Sequence, residues 1–356
     1  MKGISFPIIK TKGTSGVTYD LSSVDERAKY FYEKVGKEID DLKQFMQKST
    51  FVAYMMGKKL AGKGTYSKLF MEIFGKESAV HLSVGDIVRA VDEVKGDETK
   101  MEELREYMER NYRGFISLED AFDAFLGRDT SKLLPTEFIL ALVKREIDKH
   151  RGKVLFIDGF PRSMDQVSYS LYFRELVDYR NDPDVFVFID LPEQVIDERI
   201  KYRVVCPKCN TSRNVKLLPT SKVQYDKDKK EFYLLCDNVE CEPVRMVGKE
   251  GDEKGLELIK DRLMADESLI KETMKLYGVP KIYLRNSVPV EGAFENVDEY
   301  EVTKITEFKW DEKNERITSR DIEWIVNDDD GVPSYSLYAP AVVVQFIKQL
   351  HEVLIK

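Results

Sequence analysis

The sequence lacks an excess of positive charge and lacks any long apolar run. Its formal net charge of −8 disfavours a general nucleic-acid binder, which usually carries a basic face. No apolar run approaches the roughly 20 residues that a bilayer span requires, and residues 1–20 lack the apolar stretch of a secretory signal. We therefore expect a soluble, cytoplasmic protein with no nucleic-acid or membrane partner.

Cysteine and histidine are scarce, and their placement restricts the sites they can form. The four cysteines all lie between Cys206 and Cys241, whereas disulfide scaffolds usually spread their cysteines along a short secreted chain. The pair Cys206 and Cys209 and the wider pair Cys236 and Cys241 predict a structural zinc ion held by four thiolates. Free buried thiols are the alternative. The three histidines are scattered and do not compete as ligands.

The 356 residues contain an alternation of buried strands and helices. Three short apolar runs are typical of buried parallel strands and cover residues 51–56, 154–157 and 185–190. Helical spacing separates them and covers residues 23–48, 64–74, 136–150, 192–202 and 255–277. This alternation predicts an α/β fold in which a parallel sheet carries helices on both faces.

Two regions depart from this rhythm. Residues 204–250 contain the cysteines and a predicted hairpin that turns at residues 226–230. Near the C-terminus, residues 300–310 and 316–326 alternate in the manner of half-buried antiparallel strands, and a final helix is predicted over residues 339–355. Residues 1–20 predict a loose or strand-like tail.

A glycine-rich loop with a lysine follows the first apolar strand. Its residues fit the pattern G-x-x-x-x-G-K-G-T, with Gly57, Gly62, Lys63, Gly64 and Thr65 at the defined positions. Glycines let backbone N–H groups turn towards phosphate oxygens, the lysine adds a positive charge, and the next helix directs its positive dipole end at the same anion. Between a buried strand and a helix, this loop predicts a nucleotide phosphate site rather than a Gly/Lys surface turn.

Loops that end in G-K-G-T are typical of adenylate kinases and their relatives, and further segments resemble that family in the same order. They are residues 81–90, 133–144, the D-G-F-P-R-x-x-x-Q segment 158–166, the R-x-x-x-R segment 199–203, and Arg262. The resemblance spans residues 50 to 285, and it covers neither 1–48 nor 300–356. It implies a P-loop NTPase sheet with a helical monophosphate-binding flap and a small zinc-binding β lid.

The resemblance divides the chain into four parts. Residues 1–48 are an N-terminal extension, and residues 81–140 are the monophosphate-binding flap. Residues 204–250 are the zinc lid. The P-loop core comprises residues 49–80, 141–203 and 251–356, the last of which includes the C-terminal hairpin.

Transfer of a phosphoryl group between polyanions requires fixed cations, and arginine provides a planar fork for phosphate oxygens. The candidates are Lys63, Arg89, Arg162, Arg199, Arg203 and Arg262. The resemblance implies that Arg89 and Arg162 hold the acceptor phosphate, that Arg203 and Arg262 clamp the transferring group, and that Arg199 packs on the donor base. Asp158, at a strand end, is expected to hold Mg²⁺ through water, with Asp86 as a second candidate.

The acceptor site is expected to comprise Val84, Arg89, Leu134, Gly159, Arg162 and Gln166. A glutamine at the position of Gln166 accompanies AMP in the family, whereas Val84 replaces a threonine that touches the acceptor base. The resemblance therefore implies that a monomer converts ATP and AMP to two ADP with Mg²⁺. A CMP, UMP or GMP kinase is the alternative.

Several positions depart from the family pattern. Lys59 and Leu60 stand where the family has proline and glycine, which predicts a stiffer loop with extra charge. The lid arginine that precedes the paired acidic residues is missing, and Lys249 stands close to its place. These departures leave open a catalytically weak nucleotide-binding member of the family.

Overall fold

The computed structural model describes residues 1–94, 96–127, 135–160, 182–209, 211–238, 241–249, 252 and 255–355. Its centre is a five-stranded sheet in which every pairing is parallel. The strands are β1 (Val52–Gly57), β2 (Ala79–Ser83), β3 (Val154–Asp158), β4 (Asp184–Asp190) and β10 (Lys281–Arg285). Their order across the sheet is β10-β4-β1-β3-β2, so the strand that leads into the glycine-rich loop is central.

Helices cover both faces of this sheet, as predicted. Along residues 51–56, alternate side chains enter two different apolar clusters, because successive strand residues point to opposite faces. One face packs against α1 (Val24–Met46), α2 (Lys63–Phe74), α7 (Glu193–Lys201) and α10 (Ala339–Leu354). The other face packs against α6 (Thr136–Asp148) and α8 (Lys260–Met274). Ser23 caps α1 by accepting a hydrogen bond from the N–H of Glu26.

Three further helices lie between β2 and α6. They are α3 (Val84–Val94), α4 (Glu98–Asn111) and α5 (Leu118–Leu126). Buried side chains of all three enter the same apolar cluster as α6. This helical layer therefore begins directly at the carboxyl end of β2, beside the glycine-rich loop.

The cysteine region forms two small antiparallel sheets. Strand β5 (Arg203–Val205) pairs with β6 (Ser212–Asn214) and β9 (Val247–Gly248), and β7 (Val223–Asp226) pairs with β8 (Glu231–Leu234). The hairpin predicted to turn at residues 226–230 is present. We call residues 203–249 the lid.

The C-terminal region forms a separate sheet and a hairpin. A short helix, α9 (Ala293–Asn296), lies in the chain between the first strand of this sheet and the hairpin. Strands β11 (Ser287–Pro289), β14 (Ile325–Asn327) and β15 (Pro333–Ser336) make the sheet, and β12 (Ile305–Asp311) pairs with β13 (Arg316–Ile322) in the hairpin. The prediction of one strand over 316–326 was wrong at its end. Residues 325 and 326 belong to β14 because they pair with β15 and not with β12.

The hairpin β12–β13 packs on the lid and does not join the central sheet. Trp310 stacks on Tyr225 with ring centroids 4.9 Å apart. Phe308 lies 5.6 Å from Phe232, centroid to centroid. The N–H of Thr306 donates to the lid carbonyl of Lys216 at 2.9 Å. These contacts attach the C-terminal segment, residues 300–356, to the lid.

The N-terminal residues 1–20 contain neither helix nor strand, but they are not a loose tail. Phe6, Ile9 and Thr11 are buried. The hydroxyl of Thr11 donates to Glu301 at 2.6 Å, which ties this segment to the C-terminal region. Among the described residues, no helix combines the length and the apolar character required to cross a membrane.

Candidate active site

The glycine-rich loop connects the central strand β1 to helix α2, and two glycines make this turn possible. Gly62 precedes α2 with φ of 101°, and a Cβ there would lie 2.9 Å from the ring of Tyr66. A Cβ on Gly57 would lie 3.1 Å from the Cβ of Ala61. Larger side chains would therefore displace the loop, and the positive φ of Gly62 favours glycine.

Lys63 lies at the first turn of α2 with its ammonium folded back over the loop. Its Nζ donates to the carbonyl of Gly57 at 2.7 Å and to that of Lys58 at 3.2 Å. The same Nζ lies 3.6 Å from Oδ1 of Asp158, at the end of the neighbouring strand β3. The structure therefore brings together the lysine and the carboxylate that the sequence predicts for phosphate and magnesium.

His81 belongs to the same neighbourhood, although the sequence predicts no role for this histidine. Its Nε2 lies 3.8 Å from Oδ2 of Asp158. Burial lowers the pKa of His81, and the charge of Asp158 opposes that shift. The signal for this residue was its place in β2, next to β3, two residues before the strand ends beside Asp158.

Arg199 contacts the loop from helix α7. Its Nη1 donates to the carbonyl of Leu60 at 2.7 Å, and burial lowers the pKa of its guanidinium. Leu60 has φ of 65°, in the region that favours glycine, so this leucine introduces backbone strain of roughly 1–2 kcal/mol. Beside them the buried Tyr66 accepts a hydrogen bond from Nδ2 of Asn286 at 2.9 Å.

Cations from the lid and from α8 converge near the loop. Burial lowers the pKa of Lys59, and the charges of Arg203, Arg262 and Lys249 lower it further, while Asp252 opposes them. Lys249, close to the place of the missing lid arginine, is thus part of the same charged neighbourhood. Arg203 makes a forked ion pair with Asp252 at 2.6 and 2.7 Å.

A cleft of about 590 Å³ lies beside Arg203, between the lid and the C-terminal hairpin. Tyr202, Arg203 and Val204 line one side, and residues 306–309 line the other. The C-terminal segment therefore contributes part of the surface next to one of the expected transfer cations.

The acceptor side is only partly described. Val84 is buried at the start of α3, and Gly159 has φ of 81° directly after Asp158. Arg89 is 69% exposed and pairs with Asp86 one turn earlier in α3. Burial alone would raise the pKa of Asp86, but the hydrogen bond and the charge of Arg89 lower it. Three expected residues, Leu134, Arg162 and Gln166, lie outside the described residues.

The four cysteines lie together in the lid. Their sulfur atoms are all within 4.8 Å of one another, with Cys206 to Cys241 at 3.7 Å and Cys209 to Cys236 at 3.6 Å. A tetrahedron with zinc–sulfur bonds of about 2.3 Å has sulfur–sulfur edges of about 3.8 Å. The spacing fits four zinc ligands, whereas a disulfide would need about 2.05 Å. The hydrogen bond with Thr211 lowers the pKa of Cys209 to about 6, which favours the thiolate.

Comparison with known proteins gives concordant results. A family model described as an AAA domain matches residues 56–205. The adenylate kinase of Thermotoga petrophila is 29% identical over 243 residues, which cover 64% of this chain and 98% of that protein. The adenylate kinase of Ruminiclostridium cellulolyticum is 31% identical over 169 residues, or 47% of this chain and 65% of that protein. The protein named "Probable UMP-CMP kinase 2" of Arabidopsis thaliana is 28% identical over 157 residues, which cover 44% of this chain and 49% of that protein.

These relatives fit what the described residues form, namely a parallel sheet whose central strand ends in a phosphate-type loop with a lysine and a neighbouring carboxylate. Together with this geometry, the relatives support an adenylate kinase and nucleoside monophosphate kinase family, and with it a phosphotransferase.

Proposed function

We propose that this nucleoside monophosphate kinase transfers the terminal phosphoryl group of ATP to AMP with Mg²⁺ as cofactor. The observation that carries the proposal is the position of Lys63, whose ammonium lies between the loop carbonyls and Asp158 at the carboxyl edge of the sheet. Ligands bind at this edge in parallel α/β sheets. The matches to proteins named adenylate kinase favour AMP as the acceptor.

The donor phosphates would bind between the loop and the first turn of α2. Lys63 would exchange its two carbonyl contacts for β- and γ-phosphate oxygens, and the N-terminus of α2 would add its positive dipole end. Asp158 would hold Mg²⁺ through water, because this ion prefers oxygen ligands and keeps several waters. Bound there, Mg²⁺ would neutralise charge on the donor phosphates.

The transferring group would be held by Arg203, Arg262 and Lys249. The two bonds of Arg203 to Asp252 have the forked geometry that guanidinium also offers to phosphate oxygens. We infer that bound phosphate competes with Asp252 for this fork. The cations supply charge stabilisation, and loose phosphoryl transfer does not require a side-chain base. Closure of the lid would exclude water and so prevent hydrolysis of ATP.

The acceptor would be held by Arg89 and Arg162 at its phosphate and by Val84, Leu134, Gly159 and Gln166 around its nucleoside. Arg89 would have to leave Asp86 to do so. Gln166 supports AMP, since its amide offers both a donor and an acceptor to a base edge. Val84 and the match to a UMP-CMP kinase support a pyrimidine monophosphate as the second candidate.

An acceptor panel tests this proposal. Purified protein is incubated with ATP, Mg²⁺ and each of AMP, CMP, UMP and GMP, and diphosphate products are separated and counted. We expect ADP from AMP to form fastest, and we expect Lys63→Ala to abolish the reaction. A preference for CMP or UMP would replace the AMP assignment, and tight ATP binding without turnover would indicate the weak nucleotide-binding member.

We also propose that Cys206, Cys209, Cys236 and Cys241 hold one structural Zn²⁺. Tetrahedral spacing of the four sulfur atoms supports it.

A further inference from the structure

Lys58, the second residue of the phosphate loop, is buried among three carboxylates. Its side chain is only 2% exposed. The ammonium lies 2.9 Å from Glu193, 3.2 Å from Glu267 and 2.9 Å from Asp329. Burial alone would lower the pKa of Lys58, but its hydrogen bonds and ion pairs raise it well above the ordinary value, so the lysine remains charged.

The three carboxylates come from three different parts of the fold. Glu193 begins α7, the helix that carries Arg199. Glu267 lies on α8, the helix that carries Arg262. Asp329 lies between β14 and β15, in the C-terminal region that the family resemblance does not cover. One ammonium therefore connects the phosphate loop to both arginine-bearing helices and to the C-terminal segment.

The backbone of Lys58 contacts the side chain of Lys63. Its carbonyl accepts from Nζ of Lys63 at 3.2 Å and from the N–H of Ala61 at 3.1 Å. A displacement of Lys58 would therefore move one of the two carbonyls that orient Lys63. The side chain of Lys58 fixes that carbonyl through its three ion pairs.

Other cations contact the same carboxylates. The amino group of Met1 lies 2.8 Å from Asp329, and Lys271 lies 2.7 Å from Glu267. The three carboxylates each offer an oxygen atom within 4.8 Å of the others, which is a spacing that also suits metal ligands. Because the ammonium of Lys58 already lies within 3.2 Å of each of them, we assign the cluster to the lysine.

We propose that Lys58 is a positioning residue for the donor phosphates, and that Asp329 gives the C-terminal segment a direct part in shaping the phosphate loop. The inference rests on the proposed role of ATP as donor. It assigns Lys58 no contact with the nucleotide. Its effect passes through the loop carbonyl and Lys63.

The test compares Lys58→Ala with Lys58→Arg, which keeps a cation. For Lys58→Ala we expect kcat/KM for ATP to fall by about 10²-fold, the cost typical of misplaced catalytic groups. KM for the acceptor should change less than about twofold, since the acceptor site is built from other elements. Propylammonium, which replaces the atoms that the substitution removes, should restore part of the activity of Lys58→Ala and leave the wild type unchanged. Glu193, one of the three carboxylates around Lys58, is 48% exposed, so propylammonium can reach this cluster from solvent.

Asp329→Asn provides a milder second variant, with the exposed neighbour Asp330→Asn as its matched control. We expect Asp329→Asn to raise KM for ATP and Asp330→Asn to leave it unchanged. In the Lys58→Ala background, Asp329→Asn should add little, because the two residues act through one contact. If Lys58→Ala does not fold, this pair of variants decides the question.

Two results would overturn the proposal. One is Lys58→Ala with lowered thermal stability but with kcat and KM for ATP within twofold of the wild type, which would make the cluster purely structural. The other is Asp329→Asn that behaves like Asp330→Asn. Turnover by the wild type tests the proposed function separately. Without turnover, ATP affinities of the same variants, measured by calorimetry, give the comparison.

Discussion

Removal of zinc should unfold the lid and leave the central sheet intact. The buried apolar cluster of the lid contains Cys206, Leu234, Cys236 and Met246. Leu234 and Met246 together contribute roughly 3–6 kcal/mol through burial. Zinc bound to four thiolates contributes about 10–16 kcal/mol in small zinc domains. The metal term is thus the larger of the two, whereas the sheet has extensive apolar clusters of its own.

Metal analysis and hydrogen exchange together provide the assay. Purified protein should contain one zinc per chain. After chelation, amide protection should fall throughout residues 203–249 and persist in β1, β3 and β4. Phosphoryl transfer should be lost as well, because Arg203 and Lys249 stand at the two ends of the lid and would no longer be held near the loop.

Cys206→Ser should reproduce the effect of the chelator, whereas Ser212→Ala, at an exposed position of β6 in the lid, should not. Protein that binds no zinc and keeps full lid protection would refute the reasoning. So would a chelated protein with unchanged exchange, since the lid would then owe its stability to its small apolar cluster alone.

Three further perturbations address other parts of the molecule. Asp158→Asn should lower kcat by about 10²-fold in an ATP–AMP assay, because a fixed anion beside Lys63 is lost. It should also increase the Mg²⁺ concentration needed for half-maximal rate. An unchanged Mg²⁺ dependence would contradict a role of Asp158 in holding Mg²⁺. Trp310→Ala removes the stacking on Tyr225, which is worth roughly 0.5–1.5 kcal/mol. Hydrogen exchange in β7 and β8 should therefore accelerate up to about tenfold. Unchanged exchange would show that the hairpin does not stabilise the lid. Burial raises the pKa of Glu301 above 4.5, so its contribution to stability is complete below pH 4.5 and is lost as pH rises through the raised pKa. Urea unfolding of the wild type and of Glu301→Gln between pH 4.5 and 8 should therefore show the wild type losing stability relative to the variant as pH rises. A difference in unfolding free energy that does not change with pH would contradict this role of Glu301.

The core of the fold was predictable because its signals are local. Apolar runs at residues 51–56, 154–157 and 185–190 predict β1, β3 and β4, and the loop between Gly57 and Thr65 is recognisable from glycine spacing alone. The proximity of Lys63 and Asp158 is consistent with parallel topology, since Asp158 ends β3 and the loop that leads to Lys63 follows the carboxyl end of the adjacent strand β1. The cysteine cluster was likewise predictable from pair spacing, despite 26 intervening residues between the two pairs.

What escaped prediction depends on contacts between distant segments. Lys58 reads as one more surface lysine until Asp329, 271 positions away, is placed beside it. His81 is ordinary in sequence and gains its surroundings only when β2 pairs with β3. Residues 1–20 predict a loose or strand-like tail because they lack periodicity, yet Phe6 and Ile9 are buried by packing that no short-range pattern encodes.

The parts of the chain outside the family resemblance contact each other and reach the glycine-rich loop. Glu301 accepts hydrogen bonds from Thr11 and from Tyr30 of α1, which joins the N-terminal and C-terminal segments. From there the C-terminal segment extends to the lid through Trp310 and to the phosphate loop through Asp329. In the proposed function, the lid closes over the loop when the donor binds and opens when it leaves. A segment fastened to both therefore constrains that motion, and we expect this chain to differ from its shorter relatives more in donor binding and release than in the transfer step.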